Sequence, residues 1–157
     1  MPHDGSDNMG FNIEFEGRRS VLATDLGAVQ ARARHYMSQA NYLVIESNYD
    51  LDMLRNGRYP EYLKARIQTD NGHMDNTATA AFLNEIVNPE LKYIFLCHLS
   101  QDNNTPSKAI KASREALQQK GLKVGCASES PSDREADIQL MALPRFEHTR
   151  RFVFREL

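Results

Sequence analysis

An α/β fold built on a largely parallel sheet is predicted by three features of the sequence. Apolar runs such as Tyr42-Leu43-Val44-Ile45 and Tyr93-Ile94-Phe95-Leu96-Cys97 contain no polar interruption, which is the pattern of strands buried on both faces. Each run breaks at once into a polar group, Glu46 or His98. Between the runs the apolar spacing becomes helical. In open sheets of this kind ligands bind beyond the C-terminal ends of the strands, so polar residues at those ends are candidates for chemistry.

The elements follow in order. Phe11, Ile13 and Phe15 alternate with Asn12, Glu14 and Glu16, and Gly17 separates them from Ser20-Val21-Leu22-Ala23, so a hairpin is expected with its turn within Glu16 to Arg19. After Gly27 a helix is expected through Arg32, Arg34 and Tyr36 to near Gln39. Leu51 to Gln68 reads as helical with a break at Asn56, Gly57 and Tyr59-Pro60, because a proline disfavours the helical region for the residue before it. A polar loop, Thr69 to Asn76, leads into a helix over Thr77 to Val87. Thr105 and Pro106 suit the N-cap and first position of a helix ending near Gln119, with Gly121 as its stop. Leu122 to Val124 is expected as a short strand and Ser128 to Glu135 as a surface loop. Ile138, Leu140 and Ala142, and later Phe152, Val153 and Phe154, read as edge strands.

Composition sets the outer bounds. At 157 residues, 41% hydrophobic and 25% charged, the chain suits one domain with a real core. A net charge of −2 gives no overall attraction to a polyanion, so nucleic-acid binding would need a local patch. Arg55, Arg58, Lys64 and Arg66, interleaved with Tyr59 and Tyr62, read equally as a phosphate-tracking surface and as a solvated helix face. No apolar run approaches the ~18 residues of a membrane span, and Asp4, Asp7 and Asn8 do not fit a signal peptide, so a cytoplasmic chain without membrane contact is expected. Cys97 and Cys126 form no metal-binding pair and are expected reduced and buried.

Three strands thus deliver Asp25, Glu46 and His98 to one rim, with His3 and His73 within possible reach. Deprotonated carboxylates and imidazoles are divalent-cation donors. The same residues also serve, respectively, as a helix cap, an arginine partner and a loop anchor, and residue types alone leave both readings open.

A series of motifs narrows the choice. Thr24-Asp25-Leu26-Gly27, Glu46-Ser47-Asn48-Tyr49-Asp50, Met53 to Pro60, Gly72-His73-Met74-Asp75-Asn76 and His98-Leu99-Ser100-Gln101-Asp102-Asn103-Asn104 follow one another in an order that resembles the metallo-β-lactamase-fold hydrolases of the YycJ/WalJ type. The resemblance implies an αββα sandwich, of which this chain would be the C-terminal half: a mixed sheet with helices packed on its outer face. Residues 1–157 would then form a partial domain, with 126–157 as a family-variable tail.

The resemblance also implies two divalent metal ions, zinc first and manganese second, and phosphodiesterase or nuclease activity on DNA, RNA or another phosphodiester. Asp25 matches the ligand that bridges two metals, while His98 and His3 match further ligands. His73, steered by Glu46, resembles a proton donor to the leaving group. Arg55, Arg58, Asn103 and Asn104 are candidates for substrate contact. The H-x-H-x-D-H run typical of the family is not in the sequence. The chain alone is therefore expected to be inactive and prone to self-association through an uncovered half-fold. The competing expectation is a non-catalytic α/β binding module.

Overall fold

A two-residue turn begins the sheet. In the computed structural model, which describes residues 8–127, 133 and 135–154, strand β1 (Phe11–Phe15) pairs antiparallel with β2 (Arg18–Ala23) in the register Phe11 to Leu22 through Phe15 to Arg18. Glu16 and Gly17 both have positive φ, 49° and 75°, the geometry whose twist matches that of the strands it joins. The remaining strands run parallel: β3 (Tyr42–Glu46), β4 (Tyr93–Cys97), β5 (Val124–Gly125) and β6 (Ile138–Ala142). The six-stranded order is β1-β2-β3-β4-β6-β5. The fold is therefore α/β with a mixed sheet, as the apolar runs predict.

The helices whose ranges are described are α1 (Ala31–Met37), α2 (Leu51–Asn56), α3 (Glu61–Ile67), α4 (Asn76–Ile86) and α5 (Pro106–Gln118). The α2/α3 break falls at the predicted Gly57-to-Pro60 interruption, and Thr105 caps α5 by accepting from the Lys108 N–H. Alternation along the strands sends Val21, Leu43, Ile94 and Leu140, which lie in one row across the sheet, into a core with Met37 of α1, Leu83 of α4 and Leu117 of α5.

The opposite face carries a second apolar row, Phe11, Leu22, Val44, Phe95 and Met141. No described helix covers it. Two tail aromatics do: Phe154 stacks on Tyr42 with ring centroids 4.0 Å apart and meets Tyr93 edge-on at 4.9 Å, while Phe152 meets Phe95 at 5.3 Å. Beyond their reach Phe11, Ile13 and Phe15 of the edge strand are 58%, 54% and 72% exposed.

Four expectations are corrected. Ile138–Ala142 is not an edge strand, since β6 lies between β4 and β5; Gln139, the polar residue within it, is accommodated because its side chain bonds the Ala127 N–H and the Asp133 carbonyl. Phe152 to Phe154 form no strand and lie across the sheet as irregular chain. α1 starts only at Ala31 because the corner around Gly27 is pressed against Asp70 and the N-cap Gln30 is extended, with φ −73° and ψ 161°. Cys126 is exposed, its Sγ 3.1 Å from Asp133 Oδ2, because it stands just past a two-residue strand at the sheet edge; Cys97 is largely buried, and neither forms a disulfide. Among the described residues no helix is long and apolar enough to cross a membrane.

Candidate functional site

Parallel register aligns the C-terminal ends of β2, β3 and β4, with Ala23 beside Ile45 and Glu46 beside Cys97. Asp25 and His98 each lie just beyond a strand end with left-handed φ, 55° and 54°. For residues other than glycine this conformation is costly, and it recurs where a side chain must be aimed at a site. Both positions turn the chain sharply off its strand and over the rim.

His73 arrives from the loop between α3 and α4. Its N–H donates to the Ile67 carbonyl at 2.9 Å, and that loop is pressed against the corner after β2. A Cβ at Gly27 would stand 2.0 Å from the Asp70 carbonyl oxygen, and one at Gly72 would stand 2.2 Å from that of Ile67. Glycine at the first place lets two loops approach more closely than a side chain would permit, and at the second it lets the His73 loop fold back against the end of α3. This contact seats His73 beside His98, with ring centroids 5.1 Å apart.

Beneath the two rings lies Glu46, fully buried. Its Oε1 is 2.6 Å from His73 Nδ1 and 2.9 Å from His98 Nδ1, while its Oε2 accepts from the Leu26 N–H at 2.5 Å. Burial pushes this carboxyl up, but the bonds to His73, His98 and the Leu26 amide outweigh it and hold Glu46 below its usual range. The bond to Glu46 raises the His98 pKa against the opposing effect of its burial, with the Glu46 and Asp25 charges adding to the rise. Burial, followed by the Glu46 charge, pushes the neighbouring Cys97 thiol up to about 12, which favours its protonated form.

Asp25, His73 and His98 each offer a ligand atom, all within 4.8 Å of one another, and they are the one such group among the described residues. Two imidazoles and a carboxylate form a donor set suited to zinc. With Glu46 on Nδ1 of each ring, the nitrogen a cation would take is Nε2, and a carboxylate behind a ligating histidine fixes its orientation and tautomer. The donors fit one ion.

The other candidates fall elsewhere. His3 lies outside the described residues. Asn103 and Asn104 are buried and do not line the cleft: Asn104 Nδ2 donates to the Ser47 and Asn48 carbonyls at 2.9 and 3.0 Å, and the Asn103 carbonyl accepts from the Asp50 N–H. They hold the rim loops together. Arg55 and Arg58 are exposed and stand off the cleft, whereas Arg66 and Tyr59 line it. The cleft above the cluster has a volume of 860 Å³. The sequence reading missed Arg145, a cleft residue beyond the end of β6; its position follows from β6 lying beside β4, which no local pattern reveals. It also missed that Glu46 serves His98 as well as His73, though both histidines had been placed near the same rim.

The fold and this rim define an α/β protein with a histidine-carboxylate site at the ends of its parallel strands. No family model matches the chain. It is 39% identical over 129 residues to Exodeoxyribonuclease YycJ of Bacillus anthracis, a match spanning 82% of this chain and 49% of that protein. It is 33% identical over 125 residues to Exodeoxyribonuclease WalJ of Streptococcus pneumoniae, spanning 80% of this chain and 46% of that protein. The chain belongs to the YycJ/WalJ type of metallo-β-lactamase-fold proteins. It spans about half the length of the curated relatives it matches.

Proposed function

We propose that this chain supplies part of the active site of a metal-dependent phosphodiesterase of the exodeoxyribonuclease kind, and that it corresponds to the C-terminal half of such a domain. The observation that carries the reading is the meeting of Asp25, His73 and His98 over the shared carboxylate of Glu46. The names of its relatives point the same way.

In this reading Asp25 and His98 hold a divalent cation, zinc before manganese, and His3 adds a further donor. When bound, such an ion acidifies water and neutralises charge on a phosphoryl oxygen. Glu46 keeps both rings turned toward the cleft. His73 protonates the leaving oxygen, a transfer that needs a ring nitrogen within hydrogen-bond reach of the departing atom. A second ion, as the resemblance implies, would draw on donors beyond the described residues, and on that account the chain alone takes up less than two equivalents of metal and is inactive.

One observation favours a different role for His73: its ligand atom lies within 4.8 Å of those of Asp25 and His98, which suits a third ligand. His73→Ala separates the two. Turnover reduced about 100-fold or more with zinc content unchanged fits the proton donor; loss of zinc by elemental analysis makes it a ligand. Retained zinc with full turnover removes His73 from the chemistry. Turnover is read in the chain if it proves active and otherwise in a full-length relative carrying the equivalent change, while zinc is measured in both.

The uncovered sheet face has a consequence for assembly. Phe11, Ile13 and Phe15 project from an edge strand, the arrangement that templates pairing with another chain. A second copy of this chain is the proposed occupant.

A further inference from the structure

The parallel pairing of β3 and β4 ends with Glu46 beside Cys97, yet the chains that leave the two strands remain hydrogen-bonded to one another. The Ser47 N–H donates to the Cys97 carbonyl at 3.0 Å, Asn48 Nδ2 donates to the His98 carbonyl at 2.7 Å, and the Ser100 N–H donates to the Asn48 carbonyl at 2.7 Å. Asn48 also reaches the other histidine loop. Its N–H donates to the carbonyl of Met74, the residue after His73, at 2.8 Å. The residue is itself held from behind: Asn104 Nδ2 donates to its carbonyl at 3.0 Å, and the Asn104 and Asn76 amides bond each other in both directions at 2.9 Å.

Asn48 is 8% exposed and forms part of the cleft wall. Its amide faces a carbonyl oxygen, so the end placed there is the donor. The same nitrogen lies 3.5 Å from His98 Nδ1, too far to compete for a ring nitrogen that Glu46 Oε1 holds at 2.9 Å. The Asn48 bond therefore acts on the main chain of His98, where φ is 54°. A residue other than glycine keeps that conformation only where its surroundings over-determine it. Glu46 fixes the ring and Asn48 fixes the turn.

We infer that Asn48 is a positioning residue of the cation site: its side-chain amide holds His98 in the left-handed turn, and its main chain ties that turn to the His73 loop, so that the two rings meet over Glu46. The inference rests on the metal-dependent reading and adds a residue to it. Asn48 acts through His98 and touches neither ion nor substrate in this role. Without the amide the His98 carbonyl loses its donor, the turn relaxes toward ordinary dihedrals, and the ring swings away from His73 and Asp25.

Asn48→Leu tests this, since leucine keeps the branched shape and removes the donor. Asn84→Leu is the control: it deletes the bond from Asn84 Nδ2 to the Ala116 carbonyl at the far ends of α4 and α5. Zinc affinity is measured by competition with a chromogenic chelator. In EDTA, cross-relaxation between the His73 and His98 ring protons is read by NMR on the same chains, the ring centroids being 5.1 Å apart. Asn48→Leu is expected to weaken zinc binding about tenfold and to lose the ring-to-ring cross-peak. Asn84→Leu is expected to alter neither. Asn48→Ala should match Asn48→Leu, and it carries the test if circular dichroism shows that the leucine variant does not fold.

Wild-type zinc affinity or a retained cross-peak in a folded Asn48 variant would overturn the positioning role, as would equal losses in Asn84→Leu or failure of both Asn48 variants to fold. The wild-type chain separates this failure from that of the parent reading. No zinc uptake by the wild type overturns the metal site and the inference with it; uptake by the wild type with unchanged affinity in Asn48→Leu overturns the inference alone.

Discussion

At Glu46 a single buried carboxylate holds two imidazoles and a backbone amide. Its removal would leave both rings without the partner that fixes them, and second-shell changes of this kind typically lower metal affinity about 10- to 100-fold. Glu46→Gln is therefore expected to weaken zinc binding by that order, read by competition with a chromogenic chelator, while the fold persists. Unaltered affinity would mean the rings are oriented by their loops alone. Asp25 and His98 were legible from the sequence because a polar residue immediately after a buried strand has few places to go. The bond joining His98 to Glu46 was not, because side-chain direction depends on the left-handed turns at Asp25 and His98, and neither residue type announces one.

Elements meet the site through caps and close approaches. Asp50 caps α2 by accepting from the Met53 N–H at 2.9 Å and pairs with Lys108 of α5 at 3.1 Å. Partial burial pushes this carboxyl up, but the Met53 amide and Lys108 carry it below its ordinary 3.8. A group depressed in the folded state contributes stability above its unfolded value and loses that contribution as pH falls through the folded one. Asp50→Ala is therefore expected to cost about 1 kcal/mol near neutrality. The gap from wild type should close as pH drops below 3.8, in urea unfolding across a pH series. A gap independent of pH would assign the effect to helix propensity.

Gly72 has the opposite problem, too little room rather than a missing bond. Gly72→Ala would set a methyl 2.2 Å from the Ile67 carbonyl, and forced overpacking of this kind costs about 1–3 kcal/mol. The same variant should lose zinc affinity, because relieving the clash moves His73. The helices themselves were readable from their punctuation, Pro60 and Thr105-Pro106 above all. The late start of α1 was not, because it reflects packing of the preceding corner against a loop more than forty residues away, shown by Gly27 lying against Asp70.

At the scale of the whole molecule, the described residues leave the sheet with one face under helices and the other under two aromatic rings. Concentration-dependent association is expected in sedimentation velocity, and the double change Phe11→Ser with Phe15→Ser should reduce it without lowering the melting temperature, since both residues are largely exposed. A wild-type chain that sediments as a monomer at all concentrations would remove the second copy as occupant. The sequence carried the parallel sheet plainly, since its two central strands are unbroken apolar runs. Strand order at the far edge was beyond it: β6 and an edge strand show the same alternation, and only pairing on both sides distinguishes them. For the same reason Arg145 remained invisible as a cleft residue.

The rings of Phe152 and Phe154 give the chain a seal of its own making. Ending translation or trimming by protease after Arg151 would strip that seal from Tyr42, Tyr93 and Phe95 in one step, giving a preparation that lights up naphthalene dyes more strongly and precipitates on warming sooner than the intact chain, although every described helix and strand precedes that point.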